Sequence, residues 1–259
     1  MGNNNTDFAI RHISFGTGPK NMVVVPGLSI GYVTDNAQAI EDIFSAFTDD
    51  YTVYLFDTRD DVPENYTIRA MGEDLVTAIK SAGLDSIYLY GCSMGGMQSI
   101  YIAGKYPEIV EKLAVAASAC KAGDIANTVV GNWISLAEAK KYHELTDNMG
   151  KLIYSKQVYE ASREAFSAMA DALTPEIVTR FINTANVIPN MDLTEEAADI
   201  KCPVLVLGTE GDNVLTAEAS SQIAEITGGE LFLYGAEYPH AVFDEAPDLR
   251  DRVKAFFDR

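Results

Sequence analysis

A chain of 259 residues with 47% apolar content has the material for one substantial core. Its formal net charge of −19, spread along the chain without an acidic tail, disfavours nucleic acid and anionic membrane surfaces and favours a small neutral or cationic partner. Cys92, Cys120 and Cys202 are odd in number and lack a C-x-x-C pair, which argues against a disulfide framework and a zinc knuckle. No run of about 18 apolar residues reads as a membrane span, and the start Met1-Gly2-Asn3 lacks the basic and apolar regions of a secretory signal. A cytoplasmic location is the expectation.

Phe8, Ile10 and Ile13 suggest an early edge strand that stops at the Gly16 to Pro19 turn signal. Met22 to Val25 then form an apolar run broken by Pro26-Gly27, as a central parallel strand would be at its C-terminal end. In an open α/β sheet that end faces the ligand crevice. Ala39, Ile40, Ile43, Phe44 and Phe47 share a helical face, and Tyr51 to Phe56 predict the next strand. The following Asp57, Arg59, Asp60 and Asp61 read as a solvated loop. Ile68, Met71, Leu75 and Ile79 trace a helix stopped by Gly83.

Ile87 to Tyr90 favour a buried strand, and Met94, Met97, Tyr101 and Gly104 recur at helical intervals. Between them stands Gly91-Cys92-Ser93-Met94-Gly95, a G-x-S-x-G at a strand-to-helix turn. A serine hydroxyl becomes a nucleophile when it is exposed, deprotonated by a base and faced by amide donors. Such a turn exposes Ser93 and aims the amino end of the next helix at the reacting centre. The bare motif also arises by chance, so its placement carries the weight. Cys92, one residue before the centre of the glycine frame, reads as a small buried thiol.

Val110 to Ala117 predict another strand; from 121 to 199 the pattern is helical throughout, with no convincing strand. An insertion of this kind is a lid over a pocket or a subunit interface, so a homo-oligomer stays open, and the lid is the preferred reading. His143 and His12 read as ordinary surface or core histidines. The α/β rhythm returns with Pro203 to Leu207, a helix over 216–226, a strand over 231–234 and a final helix burying Leu249, Val253, Phe256 and Phe257.

Ser93, Asp212 and His240 each follow a predicted strand and so fall on one edge of a parallel sheet. In that arrangement His240 takes the proton of Ser93, and Asp212 orients the ring and stabilises the imidazolium. Glu210 is the competing acid; the Gly211-Asp212-Asn213 turn favours Asp212. Through Gly91-Cys92-Ser93-Met94-Gly95-Gly96, Pro203 to Gly208 with Asp212, and His240-Ala241-Val242-Phe243 with Pro247, the chain resembles the α/β-hydrolase superfamily. The resemblance implies a mostly parallel eight-stranded sheet flanked by helices, built from 1–120 and 200–259. A helical cap, 121–199, would be inserted after the sixth strand. It further implies a serine triad of Ser93, Asp212 and His240 and an oxyanion hole from the backbone N–H groups of Leu28 and Met94, without cofactor or metal.

Two departures stand out. Pro26-Gly27 replaces a common His-Gly, which keeps the Leu28 amide but loses a polar side chain, and Pro239 replaces a common glycine, stiffening the histidine loop. The expected function is a serine hydrolase that cleaves an ester or related acyl bond of a small molecule through an acyl-enzyme. The alternatives are a receptor-like binding protein with slow turnover and a carbon–carbon hydrolase or acyltransferase using the same three residues.

Overall fold

The computed structural model describes residues 10–259. Phe8, expected in the first strand, lies outside them. Seven strands form one sheet: β1 (His12–Phe15), β2 (Lys20–Val25), β3 (Tyr51–Phe56), β4 (Ile87–Cys92), β5 (Val110–Ala116), β6 (Val204–Thr209) and β7 (Glu230–Tyr234). Their spatial order is β1-β3-β2-β4-β5-β6-β7, and only β1 runs antiparallel to its neighbour.

The apolar runs that predicted strands are the parallel ones, because such strands are covered on both faces and so carry near-continuous hydrophobic sequence. Val23 and Val25 point to one side, into a core with α2 (Ile68–Ser81), α3 (Met94–Lys105) and α9 (Ala217–Thr227). Met22 and Val24 point to the other, into a core with α1 (Ala37–Ile43) and α11 (Leu249–Asp258). Thr67 caps α2 through the Ala70 N–H, and Gly83, at φ 77°, takes the left-handed conformation that ends its final turn.

Between β5 and β6 the chain runs through α4 (Asp124–Glu138), α5 (Tyr142–Ile153), α6 (Lys156–Asp171), α7 (Pro175–Ala185) and the short α8 (Thr194–Ala198), with no strand. A short α10 (Val242–Glu245) precedes α11.

Three expectations change. Among the described residues the sheet has seven strands, the number the apolar pattern places, and not the eight that the resemblance implies, and the helical segment follows the fifth. The edge strand β1 pairs directly with β3, and nothing described pairs with its outer side. The loop after β3 is also not uniformly solvated. Asp57 is only 6% exposed and accepts hydrogen bonds from the Thr34 N–H and hydroxyl, both at 3.0 Å. The start of the loop lies under α7, whose Arg180 donates to the Thr58 and Arg59 carbonyls and lies 3.7 Å from the Asp57 carboxylate, while Asp60 and Asp61 are exposed as expected. A buried carboxylate is held by such partners or not at all.

Candidate active site

The chain crosses from one side of β2 to the other when β4 pairs with β2 after β3 has paired with its opposite edge. That reversal opens a crevice at the carboxyl ends of β2 and β4, where α/β sheets place their ligands. Pro26-Gly27-Leu28 follows β2, and Ser93 follows β4.

Ser93 has φ 51° and ψ −123°, a conformation a non-glycine residue holds only when its surroundings impose it. Here its N–H donates to the Ala116 carbonyl at 2.9 Å, and its carbonyl accepts from the Gly96 N–H at 2.9 Å and the Ser118 hydroxyl at 2.8 Å. The glycine frame is steric necessity. A Cβ on Gly95 would stand 2.1 Å from the Val25 carbonyl oxygen, and one on Gly91 2.4 Å from the Ser99 hydroxyl. Gly27 lets the loop after β2 close on the serine, its own would-be Cβ falling 3.1 Å from that of Ser93.

The three residues singled out in the sequence form a hydrogen-bonded chain. His240 Nε2 lies 2.9 Å from Ser93 Oγ, and His240 Nδ1 lies 2.8 Å from Asp212 Oδ2. The second Asp212 oxygen accepts from the Val214 and Leu215 N–H groups at 2.8 and 2.9 Å. Burial opposes the Asp212 charge, but the His240 ring and these two amides outweigh it and hold the carboxyl below its usual range. His240 is only 3% exposed. Its loop is pinned by the Ala241 N–H, which donates to the Ile153 carbonyl at the end of α5. Glu210 is exposed and does not reach the histidine; its N–H donates to Tyr234 on the neighbouring strand.

Met94 begins α3, so its N–H has no intrahelical acceptor, and neither it nor the Leu28 N–H donates a hydrogen bond within the described protein. Leu28 lines the same cavity as Ser93. Cys92 is buried, its sulfur 3.9 Å from the Val25 carbonyl, and burial pushes its thiol up to about 12, so it stays protonated and unreactive at neutral pH.

The cavity in front of Ser93 measures about 290 Å³. Apolar side chains from α1, the residue that ends it and the helical segment, among them Ile40, Phe44, Trp133 and Ile153, face it together with a polar group that sequence reasoning missed: Tyr90, Tyr154, Asp244 and Arg250. Asp244 lies four residues after His240, inside the short α10; nothing in its spacing marks it as facing a pocket. Among the described residues no group of three His, Cys, Asp or Glu side chains is arranged to hold a metal. No helix there is long and apolar enough to cross a membrane.

The family model described as serine aminopeptidase, S33, matches residues 66–246, well over half of the chain. The chain belongs to the α/β-hydrolase superfamily. As a hydrolase of this fold, it is 26% identical over 211 residues to 3-oxoadipate enol-lactonase 1 of Acinetobacter baylyi, a match covering 77% of this chain and 75% of that one. Its fold superposes with a TM-score of 0.86 on MGS-M2, an α/β-hydrolase enzyme from a Medee basin deep-sea metagenome library, at 20% identity over 98% of this chain and 95% of the other. The enol-lactonase from Burkholderia xenovorans follows with a TM-score of 0.82, at 19% identity and 98% coverage of both chains.

Proposed function

We propose that this α/β hydrolase is a serine hydrolase that cleaves an ester, open or cyclic, or a related acyl bond through an acyl-enzyme on Ser93. The observation that carries the reading is the hydrogen-bonded run Ser93–His240–Asp212 at the mouth of a cavity. Ser93 Oγ attacks the carbonyl carbon as His240 Nε2 takes its proton; the imidazolium then protonates the leaving oxygen, and water repeats the sequence to release the acid. Asp212, ionised and locked by two amides, keeps Nδ1 protonated and steadies the positive ring. The Leu28 and Met94 N–H groups accept no other role within the protein and are assigned to the oxyanion, each worth about 3 kcal/mol in the transition state.

The enol-lactonase relative supports a lactone as one form of the ester. The helical segment 121–199 serves as a cap that sets substrate size, since Trp133, Ile153 and Tyr154 from it face the cavity.

A fluorophosphonate probe should label wild-type protein at Ser93 and leave Ser93→Ala unlabelled, with ester hydrolysis lost in parallel. Absence of an adduct on Ser93, or full esterase activity in Ser93→Ala, overturns the assignment.

A further inference from the structure

The cavity that receives the acyl group is not uniformly greasy. Asp244 on α10 and Arg250 on α11 both face it, Asp244 exposed and Arg250 half-buried, and the guanidinium favours the Asp244 charge without closing an ion pair with it; among the described residues the Asp244 carboxylate makes no side-chain hydrogen bond. Arg250 spends one nitrogen on the Phe243 carbonyl at 2.8 Å, and the rest of its guanidinium is uncommitted. The hydroxyls of Tyr90 and Tyr154, on the same walls, make no hydrogen bond among the described residues. Two opposite charges that line one cavity without a direct ion pair, with two hydroxyls beside them, are open to solvent there and leave both donors and acceptors to be met by whatever displaces that water.

We propose that Asp244 and Arg250 form a dipolar specificity slot for a neutral group that both donates and accepts, such as a carboxamide or ureido group carried on the substrate's acyl chain; this rests on Ser93 being the acylated residue. The N–H of that group donates to Asp244, and its carbonyl oxygen accepts from Arg250. An ammonium would be opposed by the guanidinium and a carboxylate by Asp244. A purely aliphatic tail would strip water from both charges and return nothing.

The other charged or titratable groups around Asp244 are Glu245 on its own helix, His240 just before it, Tyr90 and Cys92 on β4, and Tyr154 after α5. Glu245 turns away to accept from the Ser155 N–H, and His240 is committed to Ser93 and Asp212. Burial raises the phenols of Tyr90 and Tyr154, so both remain neutral donors at working pH. Arg250 is therefore the one fixed positive charge among these groups, and Asp244 the acceptor left over.

The test uses methyl esters matched in shape: the carboxamide methyl 5-amino-5-oxopentanoate, its branched alkyl isostere methyl 5-methylhexanoate, the ammonium methyl 5-aminopentanoate and the carboxylate monomethyl glutarate, each also made one methylene shorter and longer. Wild-type kcat/KM is measured for each. Binding to Ser93→Ala is followed through the fluorescence of Trp133, the single tryptophan of the chain, which lines the cavity. At the best length the carboxamide should exceed the alkyl isostere by at least about tenfold, the worth of hydrogen bonds to charged groups. In Asp244→Ala that ratio should fall towards one, and Asp244→Glu should restore part of it. The ratio is read within each variant, so a general loss of folded protein cancels. Equal values for carboxamide and alkyl esters, a preference for the ammonium or the carboxylate, or an unchanged ratio in Asp244→Ala overturns the slot. Missing fluorophosphonate labelling with a retained carboxamide preference in binding would remove the acyl-enzyme and leave the slot standing; full labelling without the preference would do the reverse.

Discussion

Ser93 holds its unusual backbone because three elements grip it at once, and the glycines around it are there for what they lack. Gly95→Ala would drive a methyl against the Val25 and Pro26 carbonyl oxygens, backbone atoms that cannot swing aside. It should cost about 3 kcal/mol, read as a lower urea midpoint. Asp212→Asn tests orientation rather than packing. The amide can still accept from Val214 and Leu215 but presents N–H to the ring and favours the wrong tautomer, so kcat on an ester should drop about 10⁴-fold with an unchanged circular dichroism spectrum. Asp244 gives a pH signature. The protein packed around the cavity raises its carboxyl to about 6 in the folded chain, above the usual value and against the pull of Arg250, although the residue itself is exposed. The folded state therefore holds the proton more tightly, and the stability this contributes at low pH is lost as pH rises from about 4 through about 6. Asp244→Asn should gain on wild type across that window, by about 1 kcal/mol after allowance for its accessibility. Paired thermal melts at pH 4.5 and 7.5 measure it, and a difference that does not grow with pH contradicts it.

At the scale of elements, the helical segment is coupled to the site by two contacts at one junction. The Ile153 carbonyl, at the end of α5, accepts from Ala241 beside the histidine. The Ser155 N–H, just before α6, donates to the Glu245 carboxylate at 2.8 Å, while the Ser155 hydroxyl caps α6. The histidine loop and the α5–α6 turn are thus held as one piece, which suits a loop stiffened by Pro239. Glu245→Ala should leave the Ser155 amide without its acceptor and lower stability by about 1–2 kcal/mol. Hydrogen exchange should rise first at residues 153–158, ahead of the sheet, if this contact is what docks the segment. On the far side, Arg180 and Asn183 of α7 grip the carbonyls of the loop after β3, which explains why Asp57 at its start is buried while Asp60 and Asp61 stay exposed.

For the whole molecule, the excess of acid sets both a cost and a preference. A net charge of −19 on a compact body repels itself, and salt screens that repulsion over about 10 Å at 0.1 M. Raising ionic strength from about 0.02 M to 0.5 M should lift the melting temperature by a few degrees; a fall would show that the surface ion pairs outweigh the repulsion. The same field slows anionic substrates on approach, in line with a neutral acyl group at the slot.

The alternation of apolar runs and helical stripes determined the sheet, its helices and the extent of the helical segment, because parallel strands and amphipathic helices write their periods directly into sequence. The turn at Ser93 was equally legible, since only glycine fits beside that bend. Pattern favoured Asp212 over Glu210 through its turn, and the fold supplies the physical reason: both follow β6, but only Asp212 lies 2.8 Å from the histidine ring while Glu210 faces solvent. The burial of Asp57 and the turning of Asp244 into the cavity were tertiary decisions too. Each depends on which distant element comes to rest near a residue, Arg180 for the first carboxylate and the end of β4 for the second, and no local period encodes a neighbour more than a hundred positions away.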